Sequence, residues 1–226
     1  MLIDSSAAES WLTFDAAVAL KVTALSGPGL FERTPLHVYD QMGGFAAVIP
    51  RLNIGKLYVE NAVFFVRNAR GPLDGLTRWE RTPYIHGVFG SDFLRSFEFV
   101  RISMRGRQAV VCGVNLYPYA ESALARLPVT VVNGGIAVPC SIDGEKQEAL
   151  IDIAGDFELA MENPRGGIVK QLTIGDLVFR KVEAIPAFDL GLGTNSPPRI
   201  GRQLLERYDL VFNQRGKELL FELPTR

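Results

Sequence analysis

The sequence predicts an all-β protein of two lobes related by an approximate twofold axis, with a short helix in each lobe. Three observations predict this class. The chain of 226 residues is long enough for one large β domain or for two lobes of about 110 residues each. Its 47% hydrophobic and 22% charged residues are typical of a globular chain with a sizeable core. Similar sequence blocks also recur in the same order in the two halves, which indicates an internal duplication.

Charge and hydrophobic patterning exclude several classes of function. The 24 Lys and Arg residues balance 25 Asp and Glu residues, so the chain lacks the basic field that attracts nucleic acid or anionic lipid. It has no run of about 18 apolar residues that would predict a membrane span. The N-terminus lacks a basic stretch followed by an apolar segment, so we expect no signal peptide in this chain, and its compartment stays open.

The cysteines and histidines are too few to organise the fold. A single bridge between Cys112 and Cys140 stays open as an alternative, but two small apolar side chains are the favoured interpretation. His37 and His86 lie far apart, with no Glu or Cys at ligand spacing. We therefore expect no metal site.

The first repeated block is an apolar run that ends in a carboxylate. It reads Leu2-Ile3-Asp4 in the first half and Leu150-Ile151-Asp152 in the second. A single Asp at the end of a strand is usually a turn residue or a helix cap. Because the acid occupies the same place in both halves, a functional pair is the favoured interpretation.

The second repeated block alternates apolar and polar residues around a glycine. The segments 52–59 and 172–179 share this pattern, with Gly55 and Gly175 at their centres, and each predicts a β-hairpin. The first half is longer than the second because it carries insertions. Those at 27–29 and 71–83 are rich in turn residues, and we expect them to be surface loops.

The third repeated block begins with an apolar residue followed by Gly90 or Gly201. Apolar residues then follow three, four and seven positions beyond each glycine, a spacing that predicts one short helical face. A predicted hairpin closes each half, at 97–111 around Gly106 and at 208–221 around Gly216.

Between these halves we place a linker at 115–128, which divides the chain into lobes at 1–114 and 129–226. The second lobe opens with a predicted strand-turn-strand segment around Asp143 and Gly144. The first lobe has no such opening hairpin. Two alternatives remain: its acid-bearing strand pairs elsewhere, or residues precede Met1.

This order of elements resembles the aspartic peptidases of the retropepsin-like and pepsin-like fold, over nearly the whole chain. In that family each lobe has an apolar-apolar-Asp-Thr/Ser-Gly-Ala run, then an apolar-Gly segment that crosses under the Asp loop, then a short helix and a closing hairpin. The corresponding segments here are 2–7 with 88–90 and 150–155 with 199–201. The resemblance implies the two-lobed acid-protease fold, with Gly90 and Gly201 as supporting residues of the site.

The resemblance also implies a chemistry. Asp4 and Asp152 would share a water, one carboxylate accepting its proton while the other, protonated, polarises the scissile carbonyl of an extended peptide. This chemistry needs no metal and no organic cofactor, and it implies an acidic optimum. Because one chain carries both lobes, a monomer is the simpler expectation. A flap that covers the substrate is predicted at Met42, Gly43, Gly44 and Phe45.

Both acid loops depart from the family pattern, since neither reads Asp-Thr-Gly. Ser5 retains the hydroxyl that braces the opposite loop in the family, whereas Ile153 lacks one. Ser6 and Ala154 replace the family glycine, which costs roughly 1–2 kcal/mol if φ is positive there. The sequence therefore leaves two functions open: an aspartic endopeptidase of weak activity, or an inactive relative that binds peptides or acts as a scaffold.

Overall fold

A computed structural model gives the fold at residues 1–25, 44–67, 85–106, 108–113, 123–193 and 195–224. The loops expected at 27–29 and 71–83 lie outside these ranges. The described part of the first half has two short helices, α1 (Phe14–Ala19) and α2 (Ser91–Leu94). Its strands are β1 (Leu2–Ile3), β2 (Trp11–Thr13), β3 (Thr23–Ala24), β4 (Phe45–Ile54), β5 (Leu57–Arg67), β6 (Gly87–Phe89), β7 (Phe99–Ser103) and β8 (Gln108–Cys112).

The described part of the second half is also built mainly of strands. Besides α3 (Arg202–Leu205), it contains 3-10 turns at Arg165–Gly167 and Ala187–Leu190. Its strands are β9 (Ala125–Pro128), β10 (Thr130–Val132), β11 (Gly135–Ile142), β12 (Glu145–Asp152), β13 (Leu159–Met161), β14 (Ile168–Ile174), β15 (Leu177–Pro186), β16 (Arg199–Gly201), β17 (Asp209–Asn213) and β18 (Glu218–Glu222). The predicted all-β class is confirmed, and the helices after Gly90 and Gly201 are present.

The strands form one sheet in each half and one sheet that joins the halves. The first-half sheet has the order β1, β6, β2, β5, β4, β3. The second-half sheet has the order β10, β11, β12, β16, β13, β15, β14, closed further by pairing of β11 with β14. The joining sheet has the order β8, β7, β17, β18, β9.

The acid-bearing strands have the same pairing in both halves. Strand β1 runs parallel to β6, with Leu2 opposite Val88, and β12 runs parallel to β16, with Leu150 opposite Arg199. Within the described residues, β1 thus pairs with β6, whereas β12 also pairs with β11 in the predicted opening hairpin. The equivalent parallel pairs carry the approximate twofold relation between the lobes.

The two glycines after these parallel pairs allow a close backbone crossing. A Cβ at Gly90 would lie 2.6 Å from the carbonyl carbon of Glu9, and a Cβ at Gly201 would lie 2.1 Å from the carbonyl oxygen of Phe157. Glu9 and Phe157 occupy the same position relative to the acid of their half. Only glycine fits where two backbone segments lie this close, so packing requires the glycine of the third block.

The second repeated block forms the predicted hairpins. Strands β4 and β5 are connected by a turn at Gly55, where φ is +60°, and β14 and β15 are connected at Gly175, where φ is +56°. Both turns need the left-handed conformation that glycine adopts at little cost.

The closing hairpins of the two halves meet in the joining sheet. Strands β7 and β17 pair antiparallel, with Arg101 opposite Val211. The joining sheet also buries two carboxylates, Asp209 and Glu222. The Arg101 guanidinium lies 2.8 Å from Asp209 and 3.5 Å from Glu222. Strand β9 lies at the end of the range predicted as a linker and pairs with β18. The lobes are therefore connected by a continuous hydrogen-bonded sheet.

Two large apolar clusters form most of the core in the described residues. One fills the first half around Phe64, and a larger one fills the second half and the joining sheet around Phe212. Ile3 packs against both clusters, which places the strand before Asp4 between the lobes. Cys112 and Cys140 are both free thiols.

Candidate active site

Asp4 lies in the loop that follows β1 and is 3% exposed. Its backbone N–H donates to the Phe89 carbonyl at 2.9 Å, which fixes the loop to β6. Its Oδ1 accepts from the Ser6 N–H at 2.8 Å, from the Ser6 hydroxyl at 2.7 Å and from the Ala7 N–H at 3.2 Å. Three donors on one oxygen hold the carboxyl group in a single orientation.

Asp152 ends β12 and is 2% exposed. Its Oδ1 accepts from the Gly155 N–H at 2.7 Å and from the Ala154 N–H at 3.2 Å. These donors lie two and three residues beyond the acid, as they do around Asp4. Each acid loop therefore folds back on its own carboxyl group in the same way.

One hydrogen bond connects the two acid loops directly. The Ser5 hydroxyl donates to the carbonyl of Ile151, the residue before Asp152. At the equivalent position of the second half, Ile153 is 6% exposed and packs in the larger apolar cluster. The bracing contact is therefore made from one side.

The third positions of the loops are not strained. Neither Ser6 nor Ala154 has a positive φ, so the cost expected from a Cβ in a left-handed conformation does not arise. The two residues differ in surroundings. Ala154 belongs to a small apolar cluster with Trp11 and Val88. Ser6 instead makes polar contacts on both sides.

Arg199 connects the two acids through Ser6, a contact that sequence reasoning missed. Its guanidinium Nη1 donates to the Ser6 hydroxyl at 3.0 Å and lies 3.5 Å from Asp152 Oδ2. The side chain is 13% exposed. Ser6 in turn donates to Asp4, so a continuous polar chain runs from one acid to the other. The sequence signal that could have identified Arg199 is a difference between the halves: the equivalent residue of the first half is the apolar Val88.

The electrostatics of the site show that the two acids interact. The pKa of Asp152 is raised from the ordinary 3.8 to about 7. Burial of the carboxyl group is the larger cause, and the negative charge of Asp4 is the second. Arg199 and the Gly155 N–H act in the opposite direction. Because the two carboxyl groups repel each other in a buried site, the pair favours a single negative charge.

A cavity of about 300 Å³ opens beside Asp4. Arg67 closes one wall, with its guanidinium 4.1 Å above the Trp11 ring. Asp152 is not among the lining residues, so Asp4, Ser6 and Arg199 are the members of the polar chain that face this space. The cavity is lined by Asp4, Ser6, Ala7, Ala8, Glu9, Trp11, Phe65, Arg67, Asn133 and Arg199.

The proposed flap falls only partly within the described residues. Met42 and Gly43 lie outside them. Gly44 immediately precedes β4, and Phe45 is the first residue of that strand, 6% exposed and opposite Val66. The flap stays a prediction.

In the part of the chain that the structure describes, no group of three or more His, Cys, Asp or Glu side chains is placed to hold a metal ion. Within the described ranges, no helix is both long and apolar enough to cross a membrane.

Solved structures share this architecture, and they define its class as the aspartic-proteinase fold. The aspartic proteinase from Irpex lacteus aligns with a TM-score of 0.56 and 12% identity over 100% of this chain and 90% of its own. Soybean basic 7S globulin aligns with a TM-score of 0.54 and 11% identity over 97% of this chain and 86% of its own. Conglutin gamma, a basic 7S globulin from lupine seeds, aligns with a TM-score of 0.51 and 11% identity over 98% of this chain and 87% of its own.

The sequence comparisons add no closer relationship. No protein-family model matches the chain, and no curated protein matches it significantly. The expected two-lobed acid-protease fold is confirmed by structure alone.

Proposed function

We propose that the protein is an aspartic peptidase that hydrolyses extended peptides through Asp4 and Asp152. The observation that carries the proposal is that the two carboxyl groups, on equivalent loops, are both buried and are joined through Ser6 and Arg199. Peptide hydrolysis by such a pair needs one carboxylate that accepts a proton and one carboxyl group that retains its own.

The surroundings of the two acids support different roles for them. Asp4 lines the cavity and accepts three hydrogen bonds on one oxygen, which leaves Oδ2 to accept a proton from a water. Asp152 does not line the cavity, and its pKa of about 7 supports a protonated state in acid. Asp4 is therefore the general base, and Asp152 retains the proton that keeps the pair singly charged.

The test is cleavage of an unstructured protein at about pH 5, where Asp152 is protonated. Wild-type protein should cleave it, a statine-type transition-state mimic should block cleavage, and Asp4→Asn or Asp152→Asn should abolish it. Asp176→Asn, at an exposed turn, is the matched control and should cleave like wild type. The absence of cleavage by folded wild-type protein from acid to neutral pH would refute the proposal.

A second candidate is a peptide-binding module without hydrolysis. It is favoured by the one-sided brace, because Ile153 lacks the hydroxyl that Ser5 supplies. A shift of about 1 Å at the acids lowers catalysis by about 100-fold. Calorimetry separates the candidates: a module would bind the statine-type mimic while leaving the protein substrate intact.

A further inference from the structure

The neighbourhood of the two acids is symmetric in backbone and asymmetric in side chains. Val88 and Arg199 occupy equivalent places, each two residues before the glycine that follows the parallel pair. Val88 is fully buried in an apolar cluster with Ala154. Arg199 instead contacts Ser6, the equivalent of Ala154. An apolar contact on one side is thus replaced by a cation and a hydroxyl on the other.

The contacts with Ser6 and Asp152 satisfy only some of the hydrogen-bond donors of the Arg199 guanidinium. It carries five N–H donors. Nη1 bonds Ser6 at 3.0 Å, but its distance of 3.5 Å to Asp152 is longer than the optimum for an ion pair. The buried Nε has no hydrogen-bond partner among the described residues. A buried donor without a partner costs about 1–3 kcal/mol, so the contacts of Arg199 leave part of its hydrogen-bonding capacity unsatisfied.

The guanidinium is also placed where a substrate would meet it. Arg199 and Asp4 both line the cavity beside the acids, whereas Asp152 does not. A peptide carbonyl attacked by a water on Asp4 would therefore have the Arg199 N–H groups as neighbours. A fixed donor at a developing negative oxygen is usually the largest single contribution to acyl-transfer catalysis.

We propose that Arg199 is a further catalytic residue, whose guanidinium donates hydrogen bonds to the scissile carbonyl oxygen. The inference rests on the proposed peptidase function. Water attacks the carbonyl carbon and gives one proton to Asp4, while the C=O π pair moves to oxygen and forms an oxyanion held by Arg199. The C–N bond then breaks as the π pair returns, and the leaving nitrogen takes the proton from Asp4.

The test compares Arg199→Met and Arg199→Ala with wild type in peptide cleavage at about pH 5. Loss of one oxyanion donor lowers kcat by about 100- to 1000-fold, so both variants should lose this much with little change in KM. Arg199→Lys retains a cation with different geometry and should recover part of the loss. Millimolar guanidinium chloride, far below denaturing concentrations, should raise the kcat of Arg199→Ala and leave wild type unchanged.

The matched control is Arg180→Met, at an exposed position of β15, which should keep wild-type kcat and KM. Near-ultraviolet circular dichroism reports whether each variant keeps its tertiary packing. Equal kcat in folded Arg199→Met would overturn the inference because the guanidinium would be dispensable, and higher kcat would overturn it because the guanidinium would be an obstruction. Such a result would leave the peptidase proposal standing if Asp4→Asn remains inactive. No cleavage by folded wild-type protein would overturn both.

Discussion

The hydroxyl of Ser5 donates a hydrogen bond to the carbonyl of Ile151, across the boundary between the two halves. Ser5 directly follows Asp4, and Ile151 directly precedes Asp152. The bond therefore fixes the backbones that carry the two acids relative to each other. Because Ile153 cannot make the equivalent bond, this single contact carries the direct side-chain brace between the acid loops.

We expect Ser5→Ala to lower the free energy of unfolding by about 1–3 kcal/mol, because it removes a donor from a fully buried site. Ser5→Thr keeps the hydroxyl and should preserve more of the stability. Urea denaturation measures both. Ser196→Ala is the control, since Ser196 bonds locally to the Gly193 carbonyl, and it should change stability by less than about 0.5 kcal/mol. An equal effect of Ser5→Ala and Ser196→Ala would contradict the bracing role.

Ile153→Thr should supply the missing half of the brace. By the approximate twofold relation, its hydroxyl would face the carbonyl of Ile3, so kcat/KM for peptide cleavage should rise by about tenfold or more. Stability should fall by about 1–3 kcal/mol because a hydroxyl enters an apolar cluster. Ile153→Val removes a methylene without adding a hydroxyl, and it should leave kcat/KM unchanged. A gain with both variants would assign the effect to loosened packing.

Gly201→Ala should destabilise the fold by about 3 kcal/mol or more, because the added Cβ would lie 2.1 Å from a backbone oxygen of Phe157. Backbone atoms cannot move aside as a flexible side chain does. Gly113→Ala is the matched control, since no atom of the described residues lies within 4 Å of its Cβ position. Its stability should be unchanged or higher by up to about 1 kcal/mol. Similar denaturation midpoints for the two variants would refute the close crossing at Gly201.

Stability should decrease as pH rises from about 4 to about 7, through the ionisation of Asp152. Its pKa is about 7 in the folded protein against 3.8 ordinarily, so the folded state binds the proton more tightly than the unfolded state. The stabilisation is complete below about pH 4 and is lost by about pH 7, with a size on the order of a few kcal/mol. Denaturation at a series of pH values measures it.

Asp152→Asn cannot titrate, so its stability curve should lack this decrease. Asp176→Asn, at an exposed turn, should follow the wild-type curve because its charge is solvated. Parallel curves for wild type and Asp152→Asn would show that the Asp152 carboxyl is not perturbed by folding.

The duplication made much of the fold predictable from the sequence. The hairpins at Gly55 and Gly175, the helices after Gly90 and Gly201, and the closing hairpins all follow from local patterns repeated in one order. Local patterns do not specify which strands pair across the lobes. The pairing of β7 with β17 and of β9 with β18 joins residues far apart in sequence, and no periodicity encodes it.

The two acids of the candidate site could be predicted from the sequence, whereas its cation, Arg199, could not. Asp4 and Asp152 stand out because each ends a repeated apolar run. Arg199 lies at the start of the segment 199–201, but a basic residue at a strand start is usually solvated, and its contact with Ser6 joins the two lobes. Comparison with Val88 was the one sequence signal that distinguished it.

The sheet shared by the closing hairpins also determines what happens when the chain is divided. Cleavage between the halves, followed by their separation, would expose one edge of β7 and one edge of β17, and the amides and carbonyls on those edges would lose their partners. Two such fragments carry complementary edges and opposite ends of the same polar chain. The two fragments should therefore reassemble through the pairing of β7 with β17, and each fragment alone would be prone to self-association.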